Sequence, residues 1–313
     1  MYYIGIDVGG TNLKAGLVDE SGKILEVERI PLSYEDPEQF AQVVAGLAKT
    51  VTAKGGVALE EIAWVGMGMP GSVDGGTVRY LTNIPMENVP LEELFRRHFD
   101  RPLYLGNDAD CAAVGEYFSG AGKGTKDFAV VTLGTGVGCG LILGGKLQGG
   151  AASSEAGHLV IVHGGEQCNC GRKGCWERYA SATALIGFTK KAMELHPESA
   201  MHAVAEKNGA VDGRTSFEAA QLGDEAALAV CREYVEYLSC GLNSLINILR
   251  PEMVALGGGV AAAPQELLLD PVRHLVATES FSSHGGRVTE VVRAELGNDA
   301  GIIGAAMLGT QED

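Results

Sequence analysis

The chain has 313 residues, 46% of them hydrophobic and 20% charged, a composition that excludes wholesale disorder and implies roughly two folded domains. Against 24 lysines and arginines stand 40 aspartates and glutamates, a net charge of −16. With no local basic cluster, such a surface disfavours nucleic acid and anionic membranes as partners. Any phosphorylated ligand must then be held mainly by backbone amides and metal ions.

Tyr2–Asp7, Asn12–Val18 and Lys23–Arg29 read as three successive antiparallel strands, separated by Gly9-Gly10-Thr11 and by Glu20-Ser21-Gly22. Met1 leads straight into the first strand without a secretory segment, so a reducing cytoplasm is the expected compartment. Asp36 as cap, Pro37 in the first turn and Gln39 at the capping-box position start a helix that Gly55-Gly56 ends. A buried strand, Ile62–Met67, runs into Gly68-Met69-Pro70-Gly71, and a further strand, Leu103–Leu105, gives way at Gly106-Asn107-Asp108-Ala109 to a helix reaching about Phe118. Phe128–Gly145 carries no charge, but its glycines and threonines fit a β-hairpin rather than a membrane span. Glu225–Leu249 has apolar residues at helical spacing (Val230, Tyr234, Leu238, Leu242, Leu245, Leu249) and stops before Pro251. Met253–Leu256 leads into Gly257-Gly258-Gly259, and Gly297–Gly301 opens a final apolar helix. This alternation predicts α/β layers.

Glycine is in excess: 45 residues, about twice the usual share. The clusters at the ends of apolar runs predict tight turns where a ligand approaches the backbone. The two main turns are related at a constant offset of 124 residues, Gly10 falling on Gly134, Thr11 on Thr135, Gly16 on Gly140 and Leu17 on Leu141. A duplicated strand-turn-strand motif would set one Gly-Thr turn against the other as a phosphate clamp.

Four constellations offer chemistry. Asp7-Val8-Gly9-Gly10-Thr11-Asn12 can present an anion nest of N–H groups with a carboxylate for hydrated Mg²⁺. Gly134-Thr135-Gly136 repeats the nest, and neither turn has the spacing of a Walker loop or a dinucleotide fingerprint. Asp108 sits where a helix cap or a general base would stand, the latter being what phosphoryl transfer to an alcohol requires. His158 with Cys168, Cys170 and Cys175 forms a closed tetrahedral zinc set, with His163 as the rival fourth ligand. Glu155 and Glu177 flank that set, so one knuckle would fix two carboxylates and an imidazole together.

Taken together, Asp7-x-Gly-Gly-Thr11, Asn107-Asp108, Glu155-x-Gly-His158, Cys168-x-Cys170-Gly-x3-Cys175-x-Glu177, Gly257-Gly-Gly259 and Leu296-Gly-Asn-Asp-Ala300 resemble the ROK family of repressors, open reading frames and sugar kinases, and within it the bacterial ATP-dependent glucokinases. The resemblance implies a two-domain actin-like (ribonuclease H-like) ATPase fold with an interdomain cleft. The smaller domain would comprise residues 1–118 with the helix at 299–313, and the larger one residues 119–298. It also implies phosphorylation of a hexose, glucose first, at the 6-hydroxyl, with Asp108 as base. Gly71, Asn83, Asn107, Asp108, Glu155, His158 and Glu177 would hold the sugar. Asp7, Gly10, Thr11, Asn12, Gly134, Thr135, Gly136, Gly258 and Gly259 would surround ATP and Mg²⁺. A structural Zn²⁺ and a homodimer or higher homo-oligomer complete the expectation. N-acetylmannosamine, N-acetylglucosamine, mannose and allose are alternative substrates. A sugar-sensing repressor is disfavoured because six residues before Asp7 leave no room for a helix-turn-helix. Asp110, where an uncharged Asn is common, and Met86, where many relatives have Trp, depart from the pattern.

Overall fold

The computed structural model describes residues 1–81, 85–150 and 153–311. The chain divides into two compact units, one of Met1–Ala129, Gly140–Ser154 and Glu295–Asp313, the other of Val130–Cys139 and Glu155–Ala294.

In the first unit, β1 (Tyr2–Val8), β2 (Asn12–Asp19) and β3 (Ile24–Pro31) form the expected antiparallel meander. β4 (Ile62–Met69) and β8 (Leu103–Asn107) extend it in parallel, giving the order β3-β2-β1-β4-β8. Because side chains alternate along a strand, Ile4 and Ile6 enter the core shared with α1 (Pro37–Lys54), where Phe40, Val44 and Val51 are fully buried. The Asp36 carboxylate caps α1 by accepting from the Gln39 N–H at 2.8 Å. The Gln39 side chain reaches back to the N–H of Glu35, one residue before the capping-box position.

The opposite face of the sheet explains much of the glycine. Gly5 pairs with Gly16 on one side and with Gly66 on the other, a row across three strands. A Cβ on Gly5 would lie 1.9 Å from the carbonyl of Ile302, and one on Gly66 would lie 1.7 Å from that of Ala305. The row is a bed for α10 (Ala300–Met307), the final apolar helix. Gly5 and Gly66 serve backbone-to-backbone packing and Gly16 makes room for the Ile302 side chain, rather than forming ligand turns.

β5 (Gly71–Asp74), β6 (Thr77–Leu81) and β7 (Glu87–Val89), absent from the sequence reading, form a small antiparallel sheet. α2 (Leu91–Arg96) follows, and β8 runs directly into α3 (Asp108–Ser119).

β9 (Phe128–Leu133) and β10 (Val137–Leu143) form the second hairpin; the boundary between units passes through both strands. With β11 (Lys146–Leu147), β12 (Met253–Gly257) and β13 (Glu290–Arg293) they make a sheet of order β11-β10-β9-β12-β13. This is the same order as the first sheet, three consecutive strands followed by two later ones, as duplication requires. The second unit is otherwise helical: α4 (Glu177–Ala180), α5 (Ala182–Leu195), α6 (Met201–Asn208), α7 (Thr215–Gln221), α8 (Glu225–Leu249) and α9 (Leu269–Glu279). α8 has the bounds its periodicity predicts, with Asp224 as cap and Arg250 leaving it in the left-handed region before Pro251. Among the described residues no helix is long and apolar enough to cross a membrane.

Candidate active site

In the first unit the β1–β2 turn is closed by the Gly9 N–H donating to the Asn12 carbonyl at 3.0 Å, with the Asn12 amide on the Thr11 hydroxyl at 2.7 Å. Gly10 faces open space, with no atom within 4 Å of a Cβ placed there. Asp7 precedes the turn and pairs in register with Lys14, whose ammonium is held by Asp299 at 2.9 Å. Burial raises the Asp7 carboxyl above its ordinary range and the Asp108 charge raises it further, while Lys14 pulls it back. Two carboxylates whose charges oppose each other suit a divalent cation, the donor set that Mg²⁺ with phosphate oxygens takes.

Asn107, not Asp108, caps α3: its side-chain oxygen accepts from the Asp110 N–H at 2.6 Å. Asp108 is the first helical residue, at the end of parallel strand β8, and its side chain opens to solvent. Loss of surrounding water raises its carboxyl, and the Ala109 N–H, donating at 2.9 Å, opposes that shift. The capping alternative thus falls to its neighbour, leaving an open carboxylate of raised proton affinity.

Gly71 has a packing role in β5, since a Cβ there would lie 2.3 Å from the Tyr80 carbonyl. Met86 is a buried core residue. Asn83 lies outside the described residues.

In the second unit the Gly134 N–H donates to the Gly136 carbonyl at 3.1 Å, closing the β9–β10 turn. The start of α5 holds this turn from outside: the Ala182 N–H reaches the Gly134 carbonyl and the Thr183 hydroxyl reaches the Thr135 carbonyl, both at 2.8 Å. A Cβ on Gly136 would lie 2.8 Å from Glu177 Oε2, so glycine lets that carboxylate come close to the turn. Gly258, at φ +82°, packs against the backbone of Leu133, while Gly259 faces open space.

The knuckle is a local construction. His158 closes a short helical turn on the Glu155 carbonyl, and Gly171, at φ +87°, closes a non-helical turn on the Cys168 carbonyl. Gly174 adopts φ +83° where a Cβ would meet the Val162 carbonyl at 1.7 Å, a position only glycine fills. Trp176 is fully buried, donates its indole N–H to the Tyr237 carbonyl at 3.1 Å and lies where Gly241 leaves room on α8. Anchored in this way, His158, Cys168, Cys170 and Cys175 bring one ligand atom each within 4.8 Å of one another. His158 turns Nδ1 to Cys168 Sγ at 3.6 Å, whereas His163 is exposed and outside the group. Burial and the Glu177 carboxylate push the Cys168 thiol up to about 12. Three thiols and an imidazole crowded beside a carboxylate form a soft donor set that a cation such as Zn²⁺ would relieve.

Two five-stranded sheets of one order, each opening on a glycine-bearing hairpin turn, define an actin-like ATPase. Within that class the chain belongs to the ROK family, whose sequence pattern matches residues 3–312. It is 36% identical to a glucokinase of Streptomyces coelicolor over 99% of this chain and 98% of that one. It is 37% identical to a glucokinase of Thermotoga maritima over 97% and 96%. A solved ROK family glucokinase from Streptomyces griseus, in complex with glucose and AMPPNP, superimposes with a TM-score of 0.80 at 34% identity and full coverage of both chains.

Proposed function

We propose that the chain transfers the terminal phosphoryl group of ATP to the 6-hydroxyl of glucose. The observation that carries this reading is Asp108: an open carboxylate of raised proton affinity at the end of a parallel strand, freed from capping by Asn107. Its chemistry is that of a base accepting the hydroxyl proton as the oxygen attacks phosphorus. Full-length likeness to glucokinases supports glucose as the acceptor.

Gly71, Asn83, Asn107, Glu155, His158 and Glu177 are the residues proposed to bind the sugar with Asp108. The turns at Gly10-Thr11-Asn12 and Gly134-Thr135-Gly136 offer N–H groups to phosphate oxygens, and Gly259, beside the packed Gly258, an open backbone edge to the adenosine. Asp7 would hold Mg²⁺, which supplies charge neutralisation on the phosphates. His158, Cys168, Cys170 and Cys175 would hold Zn²⁺, which supplies structural cross-linking of the knuckle. With Nδ1 facing the thiols, His158 keeps Nε2 for a sugar hydroxyl.

A coupled assay of ADP formation against glucose, mannose, allose, N-acetylglucosamine and N-acetylmannosamine tests the proposal. Glucose should give the highest kcat/KM. A preference for another sugar overturns the choice of acceptor, and hexose-independent ADP formation overturns the kinase.

A further inference from the structure

Asp110 departs from the family resemblance and takes no part in the mechanism above, yet it is completely buried in the first turn of α3. Its backbone N–H donates to the Asn107 side chain at 2.6 Å. Its carboxylate Oδ2 receives the Ser153 hydroxyl at 2.5 Å. Ser153 also donates to the Gly150 carbonyl, from its N–H at 3.2 Å and from its hydroxyl at 2.8 Å. A Cβ on Gly149 would lie 3.3 Å from the same Asp110 oxygen, so the chain approaches this carboxylate closely at two points, Gly149 and Ser153. A hydroxyl bonded to a carboxylate is a charge-assisted contact, stronger than a neutral one, and burial removes competing water.

The placement along the chain gives this contact its meaning. Asn107 and Asp108 lie at one end of it, and Glu155 follows Ser153 by two residues. We infer that Asp110 and Ser153 are a positioning pair for hexose binding: the carboxylate holds Ser153, two residues before Glu155 in sequence, to the helical turn bearing Asn107 and Asp108. The pair touches no substrate itself. The inference rests on the sugar-binding roles proposed above for Asn107, Asp108 and Glu155. It also accounts for an acidic residue at position 110, since a buried carboxylate grips a hydroxyl more tightly than an amide oxygen would.

The test is a steady-state comparison of the full chain with Ser153→Ala, Ser153→Thr, Asp110→Ala, the double alanine variant and Glu155→Gln. Ser153→Ala should raise the glucose KM roughly tenfold, the effect of losing one hydrogen bond to a buried charged acceptor. The ATP KM should stay within about twofold, and Ser153→Thr, which keeps the hydroxyl, should restore most of the loss. Asp110→Ala, which also removes the carboxylate's other contacts, should raise the glucose KM at least as much as Ser153→Ala, and the double variant should be no worse than Asp110→Ala. An unchanged glucose KM in Ser153→Ala, equal changes in both KM values, or additive effects in the double variant would overturn the pair. If Glu155→Gln leaves the glucose KM unchanged while Ser153→Ala raises it, the role of Glu155 fails and the pair stands, acting through Asn107 and Asp108.

Discussion

Asn107 and Asp108 are neighbours with divided labour, and the division has consequences for both rate and stability. Asn107 closes the helix start; Asp108 keeps a carboxylate whose proton affinity is raised by loss of water. Asp108→Asn should lower kcat by a factor of about 10²–10⁴, the usual worth of a general base. In the wild type, kcat/KM should fall on acidification through a pKa above the ordinary 3.8, because the base must be unprotonated. The stability effect has the opposite sense. A carboxyl whose folded pKa is raised contributes stability that is full below the unfolded value and lost as pH rises through the folded one. Removing its charge should therefore leave Asp108→Asn at least as thermostable as the wild type at neutral pH, with the difference shrinking toward pH 3.8. A variant that lost activity together with several degrees of Tm at neutral pH would point to a structural residue.

At the scale of elements, the row of glycines under α10 makes a sharp stability prediction. α10 also meets α3, where a Cβ on Gly304 would lie 1.6 Å from the Cys111 carbonyl and 2.8 Å from the Gly115 nitrogen. Backbone atoms cannot swing aside as a side chain can. Gly304→Ala should then cost about 3 kcal/mol by overpacking. Gly46→Ala, in the interior of α1 where nothing lies within 4 Å, should stabilise by roughly 1 kcal/mol through helix propensity. Chemical denaturation of the two variants checks both signs. Some elements are legible in the sequence and others are not, for local physical reasons. α1 and α8 carry their own caps and stop signals, Asp36 and Gly55 for one and Asp224 and Pro251 for the other, so local chemistry sets their ends. The strands β5, β6 and β7 are short, and Tyr80 and Glu87 face outward on them, which leaves too little alternation to read. The glycine bed is legible as an excess but not as a function, because the clash that demands glycine comes from a helix at the far end of the chain. The candidate site divides in the same way. The knuckle was readable because its ligands crowd into one stretch, whereas the Ser153 partner of Asp110 is 43 residues distant and carries no motif.

For the whole molecule, the division into two compact units sets how metal loss should register. All four residues proposed to hold Zn²⁺, with Trp176 and the α8 it packs on, belong to the unit of Val130–Cys139 and Glu155–Ala294, while Asp108 belongs to the other. A chain with two units need not unfold in one step. Protein purified without added metal should contain one Zn²⁺ per chain, and Cys170→Ser should lose it. Four protein ligands leave no open position for water or substrate, so the ion should act as a staple and not as a Lewis acid. Chelation should then lower the calorimetric transition of the knuckle-bearing unit and leave the transition of the other unit nearly in place. The glucose KM should rise through His158, Glu155 and Glu177, which flank or join the ligand set. The ATP KM should change much less, because the turn at Gly10 belongs to the other unit and the turn at Gly134 is braced by α5 rather than by the cysteines. Cobalt in place of zinc should keep tetrahedral thiolate coordination and leave kcat nearly unchanged at saturating glucose. A strong change in kcat, or a cobalt spectrum that shifts its coordination when glucose binds, would show the metal taking part in the chemistry.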